Sequence, residues 1–396
     1  MAKLGEVCLI NPKSCTLRDD TEVSFIPMTK VGEHGEFDAS EIKNYSEVKK
    51  GFTNFQNGDI LFAKITPCME NGKGAIAHNM KNGIGFGSTE FHVLRPDTDK
   101  ITSEWLYYLT TWKAFRKEAE RNMTGSAGQK RVPKTFLENY VVNLPDIDTQ
   151  KSENKILRKV DDLIFLRKQQ LAKLDELVKA RFVEMFGDIN VNNKKWMTYP
   201  LGELCTIVRG GSPRPIERYL GGTIPWIKIG DAPRYGKYIT STEEKITTMG
   251  AAHSVRVFPG DFILSNSMSF GRPYILSIAG CIHDGWLRLY DFQAEADDEF
   301  LYYLLSSSYV QRQYESFAAG SGVQNLNKEV VKNVVVCIPS LTEQKKIAQT
   351  LSSFDTYIDD LAELIEKKRG IRDGALEDLV GGHTRLKGYR KQGRLL

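Results

Sequence analysis

The chain has 396 residues, of which 41% are hydrophobic and 26% are charged, and its formal net charge is +4. This length suits two or three domains, and this composition supports globular cores rather than extended disorder. The charge is too weak to indicate a nucleic-acid partner by itself, so any basic surface must be local. The six cysteines form no CxxC pair, which disfavours a zinc site. The N-terminal segment lacks the apolar core of a signal peptide and no long apolar stretch occurs, so we expect a reducing cytoplasm.

The chain contains an internal repeat with a period far longer than that of a solenoid. The matching segments are LGEVC from Leu4 and LGELC from Leu201, NGDILF from Asn57 and PGDFIL from Pro259, EWLYYL from Glu104 and EFLYYL from Glu299, GSAGQK from Gly125 and GSGVQN from Gly320, and NYVVNLP to Pro145 and NVVVCIP to Pro339. They keep their order, at offsets of 194 to 202 residues. This regularity predicts two copies of a whole domain, each with its own core.

Both copies have the same order of predicted elements. Short β-rich runs between Gly, Pro, Asn and Asp turn residues come first. One helix follows, over Ser103–Ala119 in the first copy and Asp298–Phe317 in the second, and then a Gly-rich loop and a last strand. The pattern predicts a mixed α/β (α+β) domain rather than a doubly wound sheet. We place these two domains at residues 1–148 and 198–340.

A long helix is predicted after each domain, at residues 149–188 and 341–380, followed by a basic tail at 381–396. Apolar residues recur in both at the seven-residue spacing of a coiled coil. The predicted seam consists of Leu157, Val160, Ile164, Leu171, Leu174, Val178 and Met185 in the first helix and Ile347, Leu351, Phe354, Ile358, Leu361, Ile365 and Leu379 in the second. We expect the two helices to form an antiparallel pair with pseudo-two-fold symmetry, about 54 Å long. The alternative is two amphipathic helices that each pack on their own domain.

Common catalytic motifs are missing from the sequence. It has no phosphate-binding loop, no HExxH, GxSxG or EF-hand pattern, and no Asn-Pro-Pro-aromatic run of a nucleotide-flipping methyltransferase. One nuclease-like PD…ExK spacing occurs, at Asp146, Glu153 and Lys155, and its carboxylates could bind Mg²⁺. Acidic residues are also common at helix starts for dipole reasons. The pattern therefore leaves a stand-alone, Mg-dependent nuclease as the alternative to a non-catalytic chain.

Basic and amide side chains concentrate in loops of both copies. The candidate DNA-binding residues are Lys30, Lys64, Lys73, Gln129, Lys130 and Arg131 in the first copy and Arg209, Arg214, Arg218, Lys228, Arg234, Arg272, Gln324, Asn325 and Asn327 in the second. Lysine and arginine neutralise phosphates, arginine grips guanine, and asparagine and glutamine pair with adenine. The alternative is that these residues belong to ordinary solvated loops.

Three segments carry a resemblance to a known family. LDELVKARFVEMFGD from Leu174, PLGELCTIVRGGSPRPIERYLGGTIPWIKIGD from Pro200 and IPSLTEQKKIAQTL from Ile338 resemble the central spacer, a target-recognition domain and the distal spacer of type I restriction–modification specificity subunits. The resemblance covers essentially the whole chain. Two departures are the long entry PDIDTQKSENKI to the first helix and the basic tail.

The resemblance implies a subunit that binds no cofactor and catalyses nothing. Each recognition domain would read one half of a bipartite site in double-stranded DNA, and the helices would fix the gap between the halves. Two modification subunits, which bind S-adenosylmethionine, would dock on the chain to form a methyltransferase, and restriction subunits would complete the endonuclease. The residues alone leave two alternatives open, the nuclease described above and a coiled-coil adaptor that never contacts DNA.

Overall fold

The computed structural model describes residues 1–126, 128–188, 191–266, 271–321 and 326–382, without the side chains of 318–321. The chain forms two compact units, one of Met1–Phe165 with Glu366–Leu396 and one of Leu166–Ile365. The division falls inside both long helices, so each unit contains a globular part and one half of each long helix. In the described part of the chain, no helix is long and apolar enough to cross a membrane.

The described residues of the first unit contain ten strands. They are β1 (Ala2–Lys3), β2 (Cys8–Ile10), β3 (Glu22–Ile26), β4 (Ile42–Asn44), β5 (Thr53–Gln56), β6 (Ile60–Ala63), β7 (Gly74–Ile76), β8 (Ile84–Gly87), β9 (Phe91–Pro96) and β10 (Val141–Val142). Two four-stranded sheets have the orders β2-β9-β6-β7 and β4-β3-β8-β5, and β1 pairs with β10. All pairs are antiparallel except β3 with β8.

The second unit repeats this arrangement. Its strands are β11 (Met197–Pro200), β12 (Thr206–Arg209), β13 (Leu220–Ile227), β14 (Tyr238–Ile239), β15 (Lys245–Ile246), β16 (Val255–Val257), β17 (Phe262–Ser265), β18 (Pro273–Leu276), β19 (Gly280–Ile282), β20 (Trp286–Tyr290) and β21 (Val335–Ile338). The sheet orders are β12-β20-β17-β18-β14 and β15-β13-β19-β16, with β11 paired to β21. Each sheet matches one in the first unit, with β14 as an added edge strand. The mixed α/β fold and the duplication are confirmed.

The recurring Gly-Asp of the sequence repeat has the same function in both units. Gly58 and Gly260 adopt φ values of +91° and +89°, in the left-handed region that glycine tolerates best. The following aspartates turn inward: Asp59 pairs with Arg95 at 2.8 Å and Asp261 with Arg288 at 2.8 Å. The turn thus fixes the start of β6 and β17, the fully buried central strands.

Thirteen α-helical segments occur in the described residues. They are α1 (Leu4–Val7), α2 (Tyr45–Val48), α3 (Ser103–Thr111), α4 (Lys113–Arg121), α5 (Lys134–Asn139), α6 (Ile147–Phe186), α7 (Leu201–Leu204), α8 (Thr248–Ala251), α9 (Asp298–Ser306), α10 (Ser308–Ser321), α11 (Lys328–Lys332), α12 (Leu341–Ser352) and α13 (Asp355–Ala375). Short 3₁₀ turns lie at Met28–Lys30, Lys81–Gly83, Ile216–Arg218 and Ile229–Asp231, and a π-helical turn at Leu376–Val380 follows α13.

The prediction of a single helix in each domain is wrong in detail, because each of these helices is broken in the middle. Trp112 separates α3 from α4 with ψ of 128°, and Ser307 separates α9 from α10 with ψ of 149°. The Ser307 hydroxyl accepts from the Val310 backbone N–H at 3.4 Å, as an N-cap residue does. Apolar periodicity continues across both breaks, so the sequence pattern does not reveal them.

The distal helix is also interrupted, whereas the sequence predicts one helix over residues 341–380. It ends at Ser352 and resumes at Asp355. The Ser353 hydroxyl donates to the Thr350 carbonyl at 2.7 Å, a local bond that competes with the regular helix. The central helix α6 is continuous over 40 residues.

The long helices pack against each other within each unit. In the first unit, Leu157 of α6 shares a core with Leu376 and Leu379, and Arg372 of α13 pairs with Asp161 at 2.5 Å. In the second unit, Val178 shares a core with Leu351. Early residues of α6 therefore meet late residues of the distal segment, and late residues meet early ones. The antiparallel packing expected from the heptads is confirmed, and each half also packs on the globular part of its unit.

Candidate DNA interface

In the first unit, the loop between β6 and β7 and the loop before α5 lie side by side. The Thr66 N–H donates to the Lys130 carbonyl at 3.0 Å, and the Val132 N–H donates to the Lys64 carbonyl at 2.9 Å. Ile65 forms an isolated antiparallel bridge with Arg131. Lys64, Gln129, Lys130 and Arg131 are separated by up to 67 positions in sequence, and the fold brings them to one surface.

The other two candidates of this unit adjoin the same loop. Lys73 ends the β6–β7 loop and donates from Nζ to the Met28 carbonyl at 3.2 Å. The Gly74 N–H donates to the Gly32 carbonyl at 3.2 Å, so the segment that contains Lys30 lies beside the loop. Lys30 itself pairs with Asp38 at 2.5 Å. Its charge is therefore partly neutralised, unlike that of an open phosphate-binding lysine.

The charges on this surface differ in availability. Gln129 and Lys130 are exposed, and Lys64 and Lys73 are half-buried. Arg131 forms a two-pronged pair with Glu90, at 2.9 and 2.8 Å, and these hydrogen bonds lower the pKa of the Glu90 carboxyl. A carboxylate that binds one edge of a guanidinium orients it, and the Arg131 side chain remains 42% exposed. This surface can contact phosphates and present an amide to a base edge.

In the second unit, two candidates meet at the turn before β20. Arg209 donates to the Asp284 carbonyl at 3.1 Å, and Arg214 approaches the Asp284 carboxylate at 3.5 Å. Asn266, at the end of β17, donates to the same carbonyl at 2.8 Å. The Leu326 N–H donates to the Asn266 carbonyl at 2.9 Å, the counterpart of the Val132 bond in the first unit. Asn266 is therefore the structural equivalent of Lys64.

The remaining arginines and the lysine of this unit lie elsewhere. Arg218 is exposed in a 3₁₀ turn, and Lys228 pairs with Glu244 at 2.5 Å. Arg234 and Arg272 line a cleft of about 510 Å³ whose other wall is helical. The Arg272 guanidinium donates to the Arg234 and Gly236 carbonyls at 3.0 and 3.3 Å. These four side chains do not join the cluster around Asp284.

Three candidates from the Gly-rich loop of the second copy remain. Gln324 and Asn325 lie outside the described residues. Asn327 caps α11, with its side-chain oxygen accepting from the Val330 N–H at 2.9 Å. This bond uses one acceptor position of the amide, so Asn327 has a structural role and stays a candidate for a base contact. The basic tail also lies outside the described residues, except for residues 381 and 382.

Two polar residues behind these loops are not among the sequence candidates. Arg116 of α4 is buried and donates to main-chain carbonyls of the β6–β7 loop. Gln311 of α10 makes corresponding bonds to the Gly271 and Leu305 carbonyls, at 3.0 and 2.9 Å. Their separation of 195 residues equals that between Glu104 and Glu299. Their equivalent positions in the two repeats are the sequence signal that could identify them, but the residue types differ, so the match is not visible as an identity.

The predicted seam residues are all buried or half-buried. The sequence misses Phe182 and Phe186, which are 2% and 1% exposed and stack with ring centroids 4.9 Å apart. They lie in the core of the second unit, beside Phe300, since the end of α6 packs on the globular part as well as on the other helix.

The residues of the nuclease-like pattern have structural partners. Asp146 caps α6, accepting from the Thr149 N–H at 2.9 Å and from its hydroxyl at 2.8 Å. Glu153 is buried and accepts from the Trp105 indole N–H at 3.0 Å. Among the described residues, no group of three or more His, Cys, Asp or Glu is arranged to hold a metal ion.

Comparison with known proteins identifies relatives of the chain. The EcoAI specificity subunit of a type I restriction enzyme from Escherichia coli is 46% identical over 178 residues, which are 43% of this chain and 30% of that protein. The chain thus spans less than a third of that relative's length in the match. The putative MjaX specificity subunit of Methanocaldococcus jannaschii is 25% identical over 367 residues, covering 87% of this chain and 80% of that one.

A solved structure of a type I restriction–modification S subunit from M. genitalium is also similar, with 14% identity and a TM-score of 0.49, over 96% of this chain and 95% of that one. The family described as the type I restriction modification DNA specificity domain matches residues 1–176 and 193–368, one copy for each half of the internal repeat. The chain belongs to the type I restriction–modification DNA specificity family, whose members are non-catalytic specificity subunits.

Proposed function

We propose that the chain is the DNA-reading subunit of a type I restriction–modification complex, with each recognition domain reading one half of a bipartite site on duplex DNA. The observation that carries this proposal is the duplication: the same domain occurs twice, and each copy is attached to one half of an antiparallel helix pair. Two readers on a stiff connection bind one duplex more tightly than either does alone.

The candidate surfaces support DNA as the ligand. In the first unit, Lys64 and Lys130 meet the exposed amide of Gln129 on adjoining loops. In the second unit, Arg209 and Arg214 converge on one turn. Lysines and arginines beside amides suit phosphate contacts combined with base reading. The weak net charge of +4 then reflects local basic surfaces rather than a generally basic protein.

The helix pair supplies the spacing and the docking surface in this proposal. Two S-adenosylmethionine-binding modification subunits bind the chain to form a methyltransferase, and restriction subunits complete a cytoplasmic endonuclease. Exposed apolar side chains of α6 support such docking, since Phe165 is 61% exposed and Leu177 is 51% exposed. The chain itself contributes recognition and no chemical step.

Exchange of one recognition domain tests the proposal. We expect that replacing residues 198–340 with the corresponding domain of a relative changes one half of the methylated site and leaves the other half intact. Sequencing of the methylated bases in cells that express the subunit with its modification partners measures this. A change in both halves would contradict independent reading, and the reciprocal exchange of residues 1–148 is the control.

Lengthening the helix pair tests the spacing. A heptad inserted after Leu171, with a matching heptad after Leu361, adds about 10 Å to the pair. We expect the gap between the two half-sites to grow by about three base pairs, because duplex DNA rises about 3.4 Å per base pair. An unchanged gap in the methylated site would refute this role of the helices.

A salt titration separates DNA reading from a purely structural adaptor. We expect the affinity of the assembled complex for its duplex to fall steeply with salt, since phosphate contacts release counterions. The change of Lys130 to alanine should reduce the slope by about one unit relative to the unchanged chain. Salt-independent association, or none, would favour the adaptor.

A further inference from the structure

Arg116 is a buried cation in the first unit that none of the proposed DNA contacts uses. The residue is 9% exposed, and burial lowers the pKa of its guanidinium to about 10. Within the described part of the chain it forms no ion pair. Burial of a charge without an opposite charge is costly, so the hydrogen bonds that Arg116 makes must offset that cost.

Those hydrogen bonds go to main-chain oxygens in two segments. Nε donates to the Thr110 carbonyl at 2.8 Å, at the end of α3 just before the break. One terminal nitrogen donates to the Met69 carbonyl at 2.6 Å, and the other to the Lys73 carbonyl at 3.4 Å. The Phe62 ring lies 5.0 Å from the guanidinium carbon. The planar fork therefore ties the helix to two points of the β6–β7 loop.

The β6–β7 loop is the segment that carries Lys64 and Lys73. Its Thr66 N–H donates to the Lys130 carbonyl, and its Lys64 carbonyl accepts from the Val132 N–H. Both bonds join it to the loop before α5, which holds Gln129 and Lys130. A shift of this loop would move both sets of candidate side chains together. The loop has other anchors as well, since the Lys64 N–H donates to the Glu90 carbonyl at 2.9 Å and the Met69 side chain is buried in the core of the first unit. Arg116 adds two main-chain bonds toward the end of the loop, at Met69 and Lys73.

The second unit makes the same connection with a different residue. Gln311 donates to the Leu305 carbonyl, which matches Thr110, and to the Gly271 carbonyl, in the corresponding loop. Two side chains of different charge thus serve one purpose at one position of the repeat. The bonds that the two side chains share do not require a charge at this position.

We propose that Arg116 is a positioning residue that holds the DNA-reading loop of the first domain without contacting DNA. Gln311 makes the corresponding connection at Gly271 in the second domain. This inference rests on the proposed function, because its specificity readout requires that the first domain reads a half-site. The side chain fixes the loop before the duplex binds, so the ordering cost is met in the free protein.

The test uses the chain in complex with its modification subunits. The DNA duplexes carry the methylated site, and the domain-exchange experiment shows which half of that site each domain reads. R116M removes the three donors at similar length, and R121M is the matched control, since Arg121 is exposed on the same helix. We expect R116M to lower discrimination against a wrong base in the first half by about tenfold. Discrimination in the second half should stay within about twofold, as in R121M.

Amide hydrogen exchange gives a readout that does not depend on DNA. In R116M we expect exchange at residues 65–72 to accelerate by about tenfold or more, while β6 and the second unit stay protected. R116Q is the second variant, because glutamine already makes two of the equivalent bonds in the second unit. It should fold and lose first-half discrimination by a smaller factor than R116M.

Three results would overturn the inference. These are full discrimination with slow loop exchange in both variants, an equal loss in both half-sites, or a loss in R121M as large as in R116M. If R116M does not fold, R116Q against R121M decides by the same criteria. Failure of the proposed function looks different: the unchanged complex would not discriminate bases in either half.

Discussion

Gln344→Met should lower the free energy of unfolding of the chain by about 3 kcal/mol. Gln344 is fully buried in the first turn of α12. Its Nε2 donates to the Glu295 and Pro339 carbonyls at 2.8 and 2.9 Å, and its Oε1 accepts from the Asp297 N–H at 2.8 Å. Methionine matches the shape but leaves all three main-chain groups without a partner. Urea unfolding followed by circular dichroism measures the change.

The control for this variant is Gln349→Met in the same helix, where the side chain is exposed and the expected change is within about 0.5 kcal/mol. Gln150 supplies a second instance in the first unit. It donates to the Lys100 and Pro145 carbonyls and accepts from the Thr102 N–H, each at 2.9 Å. Gln150→Met should therefore destabilise to a similar extent. Equal, small effects at positions 344 and 349 would show that the network contributes little.

Lys237→Met is expected to cost about 3 kcal/mol, since it breaks a buried ion cluster from one side. The Lys237 side chain is 6% exposed and lies between the Glu299 and Asp355 carboxylates. The Tyr303 hydroxyl donates to the Asp355 carboxylate at 2.6 Å. Burial raises the pKa of this hydroxyl well above its usual range, and the Asp355 carboxylate adds to the effect. Without the lysine, two carboxylates remain close together with no cation between them.

Lys228→Met is the matched control, because Lys228 also pairs with one glutamate but about a third of each side chain is exposed. An exposed pair contributes about 0.5 kcal/mol. Adding Glu299→Gln to Lys237→Met should recover part of the loss, since it removes one uncompensated charge. If the two lysine variants unfold at the same urea concentration, the cluster does not stabilise the second unit.

Much of the architecture follows from the sequence alone. Ordered matches such as LGEVC with LGELC predict the duplication, since a domain-length repeat must build two cores. The heptad positions, from Leu157 to Leu379, predict which faces of the helices are buried. These features succeed because burial leaves a periodic mark on the residue pattern.

The candidate site is less accessible to such reasoning. That Lys64 and Lys130 share a surface depends on main-chain hydrogen bonds between distant loops, which leave no residue pattern. The sequence predicts a base contact at Asn327, and the structure shows that its side chain caps α11. The sequence does not distinguish the two roles, because the same amide chemistry serves both. A comparison of the two repeats by residue identity does not find Arg116 and Gln311, because the residue types differ. Main-chain carbonyls accept hydrogen bonds from either side chain.

A hydrogen-bonded tyrosine–aspartate pair occurs at the same place in both units, but the cation that pairs with the aspartate comes from a different segment in each. Tyr108 donates to Asp161 at 3.0 Å, and the cation there is Arg372, from α13. In the second unit the cation is Lys237, from the globular domain itself. If a foreign domain replaces the first one, the arginine of this cluster, Arg372, is still supplied by α13. If a foreign domain replaces the second one, it must itself supply a lysine equivalent to Lys237. Replacement of the second domain should accordingly depend on a lysine at position 237 of the incoming domain, whereas replacement of the first domain leaves Arg372 in place.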